Sequence, residues 1–218
     1  HAELVGISFC FKNKEAYYVP ITESENIEDN RIQLFKAFFL NPKILKIGHN
    51  LKYDIKVLNR YGINVSKNCF DTMIAHYLIN PEARQSMDFL AEFYLEYKTI
   101  SIVDLIGKKG KNQKSMKDLS PEQVCDYACE DADITFQLKK LFEEEVNKPH
   151  LKSLFYDVEM PLMFVLKNME NEGIALDVPA LSAFGKSVEK DLVRLTEEIT
   201  KTAGETFNID SPRQLGEI

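Results

Sequence analysis

The feature that most constrains this chain is a helical stripe with a carboxylate inside it. In residues 124–142 the positions Val124, Ala128, Thr135, Leu138 and Phe142 recur at helical spacing, and Asp131 falls in line between Ala128 and Thr135. A stripe of that length is the buried face of one long helix, so the rest of the chain has to pack against it. Taking a carboxylate out of water is costly unless a cation or hydrogen-bond donors compensate. Asp131 on that face therefore points to a cation nearby. Tyr127 lies one turn earlier on the same face. Asp133, two residues on and about 200° around the helix, points away toward solvent. A buried Lys or Arg would satisfy Asp131 as well as a metal ion, so the stripe alone leaves both open.

The 218 residues carry a net charge of −7, with 44% hydrophobic and 28% charged, which is ordinary for a soluble globular protein with a real core. No apolar run approaches the roughly 18 residues of a membrane span, and there is no basic-then-apolar leader; no membrane partner and a cytoplasmic location are expected. The acidic balance is the wrong sign for a generic nucleic-acid binder, so contact with phosphates has to come from a local basic patch or from bound metal. Residues 107–117 form such a patch, with Lys108, Lys109, Lys111, Lys114 and Lys117 and no acid. It reads either as a solvated loop or as a surface that grips a phosphate backbone. It is no P-loop, since Gly110-Lys111 is followed by Asn112. The cysteines Cys10, Cys69, Cys125 and Cys129 fit neither a zinc pattern nor a disulfide scaffold and read as reduced thiols.

Along the chain, residues 4–11 alternate as a strand, Asn13-Lys14 makes a turn, and residues 16–21 return as its partner. An acidic loop leads to a helix carrying Ile32, Phe35, Phe38 and Phe39, which stops before Pro42. Residues 43–47 form a short strand that runs through Gly48 into a helix with Asn50 as its cap and Asp54 near the end of its first turn. Strand, glycine, helix is an α/β signature. Asp54 has an ordinary explanation there, because acids are favoured near helix N-termini. Further helices begin at Asp71, with Met73, Ile74, Tyr77 and Leu78 inward, and at Ser86, with Phe89, Leu90, Phe93 and Leu95 inward. Ser120-Pro121-Glu122-Gln123 is a capping box opening the long helix. Beyond residue 150 every element reads as helical, with stops at Gly173 and Gly204, and Ser211-Pro212-Arg213-Gln214 announces one more. With His1 in front and a helix just opening at the end, the chain reads as a piece of something longer.

Asn50-Leu51-Lys52-Tyr53-Asp54 at a strand-to-helix junction, and Tyr127 with Asp131 on the long helix, resemble the second and third motifs of the DEDD 3′-to-5′ exonucleases of the RNase H-like fold, in the tyrosine-bearing subgroup. More closely, they resemble the proofreading domain of the bacterial DNA polymerase I family (family A). Phe70-Asp71-Thr72-Met73 and Gly110-Lys111-Asn112-Gln113 are similar in register, and Val158-Glu159-Met160-Pro161-Leu162 and Phe207-Asn208-Ile209-Asp210-Ser211 resemble the start of that family's polymerase domain. The resemblance implies an α/β, RNase H-like mixed sheet with flanking helices, followed by a helical segment. It implies an exonuclease domain over 1–150 and the beginning of a polymerase domain over 151–218. The implied chemistry is two-metal hydrolysis of the 3′-terminal phosphodiester of DNA. Asp54 and Asp131 would be ligands of magnesium or manganese, hard ions suited to oxygen, with two ions in the complete site. Tyr127 would hydrogen-bond the attacking water, and Asn50, Lys52, Tyr53, Lys108, Lys109 and Lys111 would meet the DNA.

One departure matters. The family's first motif, an Asp-x-Glu on the strand before residues 4–11, supplies the other two carboxylates, whereas this sequence opens His1-Ala2-Glu3. The expectations are therefore a sheet lacking its first strand, half a metal site, a raised pKa at Asp131, and a chain that by itself is inactive or nearly so. An exposed strand edge invites self-association. The implied partners are a single-stranded 3′ end of DNA and the rest of a bacterial polymerase chain; fingers and polymerase carboxylates are not identifiable here. Two other readings stay open: a degenerate, non-catalytic exonuclease scaffold of a polymerase, and a stand-alone RNA-processing exonuclease of the same superfamily.

Overall fold

The computed structural model describes residues 3–21, 31–111 and 113–218; the acidic loop expected over 22–30 and Asn112 of the lysine loop lie outside them. The chain forms two compact units, His1–Glu172 and Gly173–Ile218.

The first unit opens with strands β1 (Gly6–Lys12) and β2 (Glu15–Pro20), paired antiparallel with Gly6 opposite Pro20 and Phe9 opposite Tyr17. The turn between them puts Lys14 at φ 63°, a left-handed conformation that costs a residue with a Cβ roughly 1–2 kcal/mol. What holds it is Asp133. The Lys14 amide donates to Asp133 Oδ1 at 2.6 Å, and Gln137 Nε2 donates to Oδ2 at 2.8 Å. Asp133 is thus half-buried under the hairpin rather than turned to solvent; the 200° rotation away from Asp131 aims it at the turn between β1 and β2, which periodicity alone does not reveal. Asp133→Ala should expose the Lys14 amide to faster hydrogen exchange and cost about 1–3 kcal/mol, the penalty for orphaning such a group. An unchanged Lys14 exchange rate would refute the anchor.

A 3₁₀ turn (Arg31–Phe35) and α1 (Lys36–Leu40) follow, then β3 (Lys46–Gly48), α2 (Leu51–Arg60), β4 (Cys69–Asp71) and α3 (Thr72–Ile79). β3 and β4 pair in parallel, Gly48 level with Asp71. Lys46 is a buried cation at this junction, and burial lowers its pKa. Its ammonium donates to the carbonyls of Asn41 and Ile44 and to Ser66 Oγ, using all three protons. Antiparallel and parallel pairing both occur, as in a mixed sheet, but among the described residues they form two separate two-stranded pieces. A cavity of about 600 Å³ is lined by residues of both β1 and β3.

Helices α4 (Met87–Leu95) and α5 (Ile102–Ile106) lead to α6 (Pro121–Val146), the long helix expected from the stripe. The Ser120–Gln123 capping box is formed, and Val124, Ile134, Thr135, Leu138, Phe142 and Val146 are buried. α6 packs on β1, β2, β3, α3 and α4, so both strand pairs rest on it. On the two short helices Leu90 is buried and Ile74, Leu78, Phe89 and Leu95 pack against the core as expected. Tyr77 and Phe93 are exposed instead, and Ala75, His76 and Ala91 are buried. His76 reaches the core because both ring nitrogens find partners, Gln85 Oε1 at 2.5 Å and the Tyr94 hydroxyl at 3.1 Å.

Helix α7 (Pro149–Ser153), a π-helical segment (Leu154–Glu159) and α8 (Met160–Glu172) complete the first unit, burying Phe155, Met160 and Met163 in its core. The second unit is α9 (Val178–Ala203) and α10 (Pro212–Glu217). Asp177 caps α9 through the Ala180 amide at 2.9 Å, and Gly204, at φ 81°, ends it. All four cysteines are free thiols. No helix among the described residues is long and apolar enough to cross a membrane.

Candidate active site

Asp54, from the first turn of α2, and Asp131, from the middle of α6, line the same cavity, together with Tyr53. Asp54 is exposed toward that cavity while protein crowds it on its other sides. Burial, with the Asp71 carboxylate adding to it, pushes its carboxyl up to about 7. Asp131 is half-buried; burial, then the negative charges of Glu130 and Asp88, push it up to about 6 against the lowering effect of the nearby Tyr127 hydroxyl. The rise expected for an acid on an apolar stripe is therefore present, and no lysine or arginine among the described residues contributes to either shift. Tyr127 stands beside Asp131, and burial together with that carboxylate raises its own pKa. Tyr127 thus stays protonated at neutral pH.

The other predicted residues fall in three places. Asn50 stands at the N-cap position of α2, but in the left-handed region (φ 63°, ψ 46°) and without a side-chain capping bond; its amide donates to Asp71 instead, at 3.1 Å. Lys52 is not free toward the cavity: its Nζ lies 2.5 Å from Glu170 of α8, which also holds Lys56 at 2.7 Å. Sequence separation hides such a pair. Lys108, Lys109 and Lys111 are exposed in the loop after α5 and do not line the cavity, while Lys117 pairs with Glu3 at 2.6 Å. A different segment, the link between α4 and α5, is tied to α6 by Glu130, whose oxygens take the Tyr97 hydroxyl and the Ile100 amide, each at 2.7 Å.

One acid went unnoticed in the sequence, and of a second only half the role was legible. Asp88 acts on both Asp131 and Tyr127, yet as a first-turn acid of α4 it carries no local signal. Asp71 is legible as the cap of α3, which it is, accepting from the Met73 and Ile74 amides; its bonds to the start of α2 are not. Among the described residues no group of three His, Cys, Asp or Glu is arranged around one metal position. The one Asp-x-Glu of the sequence, Asp157-Val158-Glu159, lies in the π-helical segment, not on a strand. As carboxylate oxygen donors Asp54 and Asp131 have the chemistry that suits a hard divalent ion, but two of them are a pair of donors and not a closed cage.

Layered strand pairs on one long helix, with two carboxylates lining one cavity, define an RNase H-like exonuclease fold, and solved structures agree. The chain superposes on the POL domain of Pol1 from M. smegmatis in complex with DNA primer-template and dNTP with a TM-score of 0.68 at 22% identity, covering 92% of this chain and 31% of that one. It superposes on Brucella melitensis NrnC with bound Mg2+ with a TM-score of 0.53 at 20% identity, covering 75% of each chain. Residues 1–147 match the 3′-5′ exonuclease family model, and the chain belongs to that family. DNA polymerase I of Borreliella burgdorferi is 42% identical over 221 residues, covering 100% of this chain and 24% of that protein. The chain spans about a quarter of the length of the curated relatives it matches.

Proposed function

We propose that this chain is the 3′-5′ exonuclease region, with the start of the polymerase domain over 151–218, of a bacterial cytoplasmic DNA polymerase, and that it removes nucleotides from a single-stranded 3′ end of DNA when its metal site is complete. The observation that carries the reading is the convergence of Asp54 and Asp131 on one cavity, with Tyr127 one turn before Asp131 on the same helix. Asp54 and Asp131 would hold magnesium or manganese through carboxylate oxygens. Bound there, such ions supply a lowered water pKa and charge stabilisation at the leaving 3′ oxygen. Beside Asp131 and protonated, the Tyr127 oxygen offers lone pairs to a water O–H. It orients that water and does not act as its base, since its raised pKa keeps it protonated. Tyr53, 55% exposed beside Asp54, offers a ring face to a terminal base. Asn50 contacts the same end. Lys108, Lys109 and Lys111 supply the positive field that a chain of charge −7 lacks elsewhere. Lys52 reaches DNA only by leaving Glu170.

Two of four carboxylates make half a site. The 218-residue chain should therefore leave 5′-labelled single-stranded DNA undigested in magnesium or manganese, whereas a longer form carrying the family's first motif should trim it in an Asp131-dependent way. Robust trimming by the short chain, abolished by Asp131→Asn, would sink the half-site reading. Trimming by neither form would favour the degenerate scaffold, and trimming of RNA in preference to DNA the stand-alone alternative. Among the described residues β1 pairs only with β2 and β3 only with β4, and unpaired edges recruit other strands. Light scattering over a dilution series should show mass rising with concentration; a constant monomer mass rules self-association out.

A further inference from the structure

Among the described helices with an N-cap residue, α2 alone begins from one in the left-handed region. A helix leaves its first amides without partners, and α2 has no side-chain cap of its own: Asn50 sits in the left-handed region with its side chain uncommitted to capping. The missing partner comes from the neighbouring strand. Asp71, at the end of β4 and only 1% exposed, accepts the Asn50 amide on Oδ1 at 3.1 Å and the Leu51 amide on Oδ2 at 2.7 Å. The same Oδ1 takes the Met73 and Ile74 amides of α3 at 2.8 and 3.3 Å. One buried carboxylate therefore caps two helices, its own and the one that leaves the parallel strand beside it. Thr72 closes the clip: its Oγ1 donates to the Gly48 carbonyl at 3.2 Å and lies 3.0 Å from His49 Nδ1, and His49 Nε2 is 3.0 Å from the Gln85 carbonyl oxygen.

We infer that Asp71 is a positioning residue for Asp54, fixing the first turn of α2 and with it the direction in which the Asp54 carboxylate enters the cavity. Asp54 is three residues past Leu51, so a rotation of that first turn moves its carboxylate directly. A left-handed residue at the helix start persists only where the surroundings over-determine it, and the two amides on Asp71 do so. Useful metal ligands have to be held to roughly 0.5 Å, and a solvent-held cap would not achieve that. The inference rests on the reading of Asp54 as a metal ligand.

Asp71→Ser separates the two capping duties. Serine still caps α3 from its own N-cap position, but its single short oxygen does not span to Asn50 and Leu51. In the 218-residue chain labelled with nitrogen-15, the variant should speed hydrogen exchange at the Asn50 and Leu51 amides. It should turn the single Asp54 χ1 rotamer expected in the Hα–Hβ couplings of the unsubstituted chain into an average, and raise the manganese concentration that half-broadens the resonances around Asp54 by about tenfold, as loss of a ligand's support does elsewhere. The amides of α6 should keep their shifts, which a general loss of structure would not allow. Faster exchange at Asn50 and Leu51 with unchanged Asp54 couplings and an unchanged manganese midpoint overturns the positioning role. Asp54→Asn run in parallel keeps the two readings apart. If it leaves the broadening intact, the ligand reading fails, and the Asp54 couplings of the Asp71→Ser variant still decide the positioning. Should Asp71→Ser not fold, Asp71→Asn, which keeps one acceptor oxygen, is judged by the same couplings and midpoint.

Discussion

Asp54→Asn should raise the melting temperature of this chain at pH 8 in chelator, and should remove the additional rise that manganese gives the unsubstituted chain. The reason is the direction of the pKa shifts. An aspartate in an unfolded chain titrates at about 3.9, whereas burial pushes Asp54 up to about 7 and Asp131 up to about 6. The folded state therefore binds these protons more tightly than the unfolded one. The stabilisation that goes with the neutral carboxyls is complete below about pH 4 and is lost as the pH climbs through about 6 and about 7. Above that, each folded molecule carries two ionised carboxylates that its surroundings disfavour.

A melting temperature measured in chelator should accordingly fall between pH 5 and pH 8, and the fall should flatten in Asp54→Asn and Asp131→Asn. Water in the open cavity screens both groups, so the difference is a few degrees, at about 2–4 °C for each kcal/mol in a chain of this size. Manganese reverses the sign at pH 8, where the carboxylate oxygens are free to bind it, and does little at pH 5, where protons hold them. If the unsubstituted chain instead became more stable from pH 5 to pH 8 without metal, relative to both Asn variants, the two acids would have a hidden cationic partner and the metal reading would lose its basis.

How much of this was legible beforehand depends on the range of the interaction. The hairpin, the strand–glycine–helix unit, the Asp71, Ser120 and Ser211 caps and the long helix are local patterns, and each lies within a few residues of its expected bounds. Asp131 and Tyr127 stood out because one helix fixes their spacing. Asp54 did not stand out physically: a first-turn acid is unremarkable until a second helix places another carboxylate across a cavity from it. The same holds for Asp133 under Lys14 and Lys52 on Glu170, pairs separated by 119 and 118 residues. Periodicity also misled on α3, where His76 is buried because Gln85 and Tyr94 complete its hydrogen bonds, while the larger Tyr77 is left outside.

Phe142→Ala should be the most damaging single truncation on α6. Phe142 is 1% exposed, with Tyr94 edge-on at 5.1 Å and His76 at 5.4 Å. Deleting its ring leaves a void walled by an imidazole and a phenol, and Phe→Ala changes in such settings cost about 3–5 kcal/mol, a large share of the roughly 5–15 kcal/mol that holds a domain folded. The urea midpoint should drop with the slope unchanged, whereas Phe93→Ala, at a site 64% exposed, should stay within about 0.5 kcal/mol. Equal effects from the two would mean that the aromatic cluster is not the core. Thr135, as buried as its place on the stripe requires, makes the contrast sharper: it lines the same cavity as β1 and β3, so Thr135→Ala enlarges an existing space and opens no new one. The stripe on α6 thus has a sealed half, Leu138 to Val146, and a half that faces the cavity, where Asp131 sits. A carboxylate is tolerated on an apolar stripe here because it stands on the half that the fold leaves open, within reach of water and of any ion that enters.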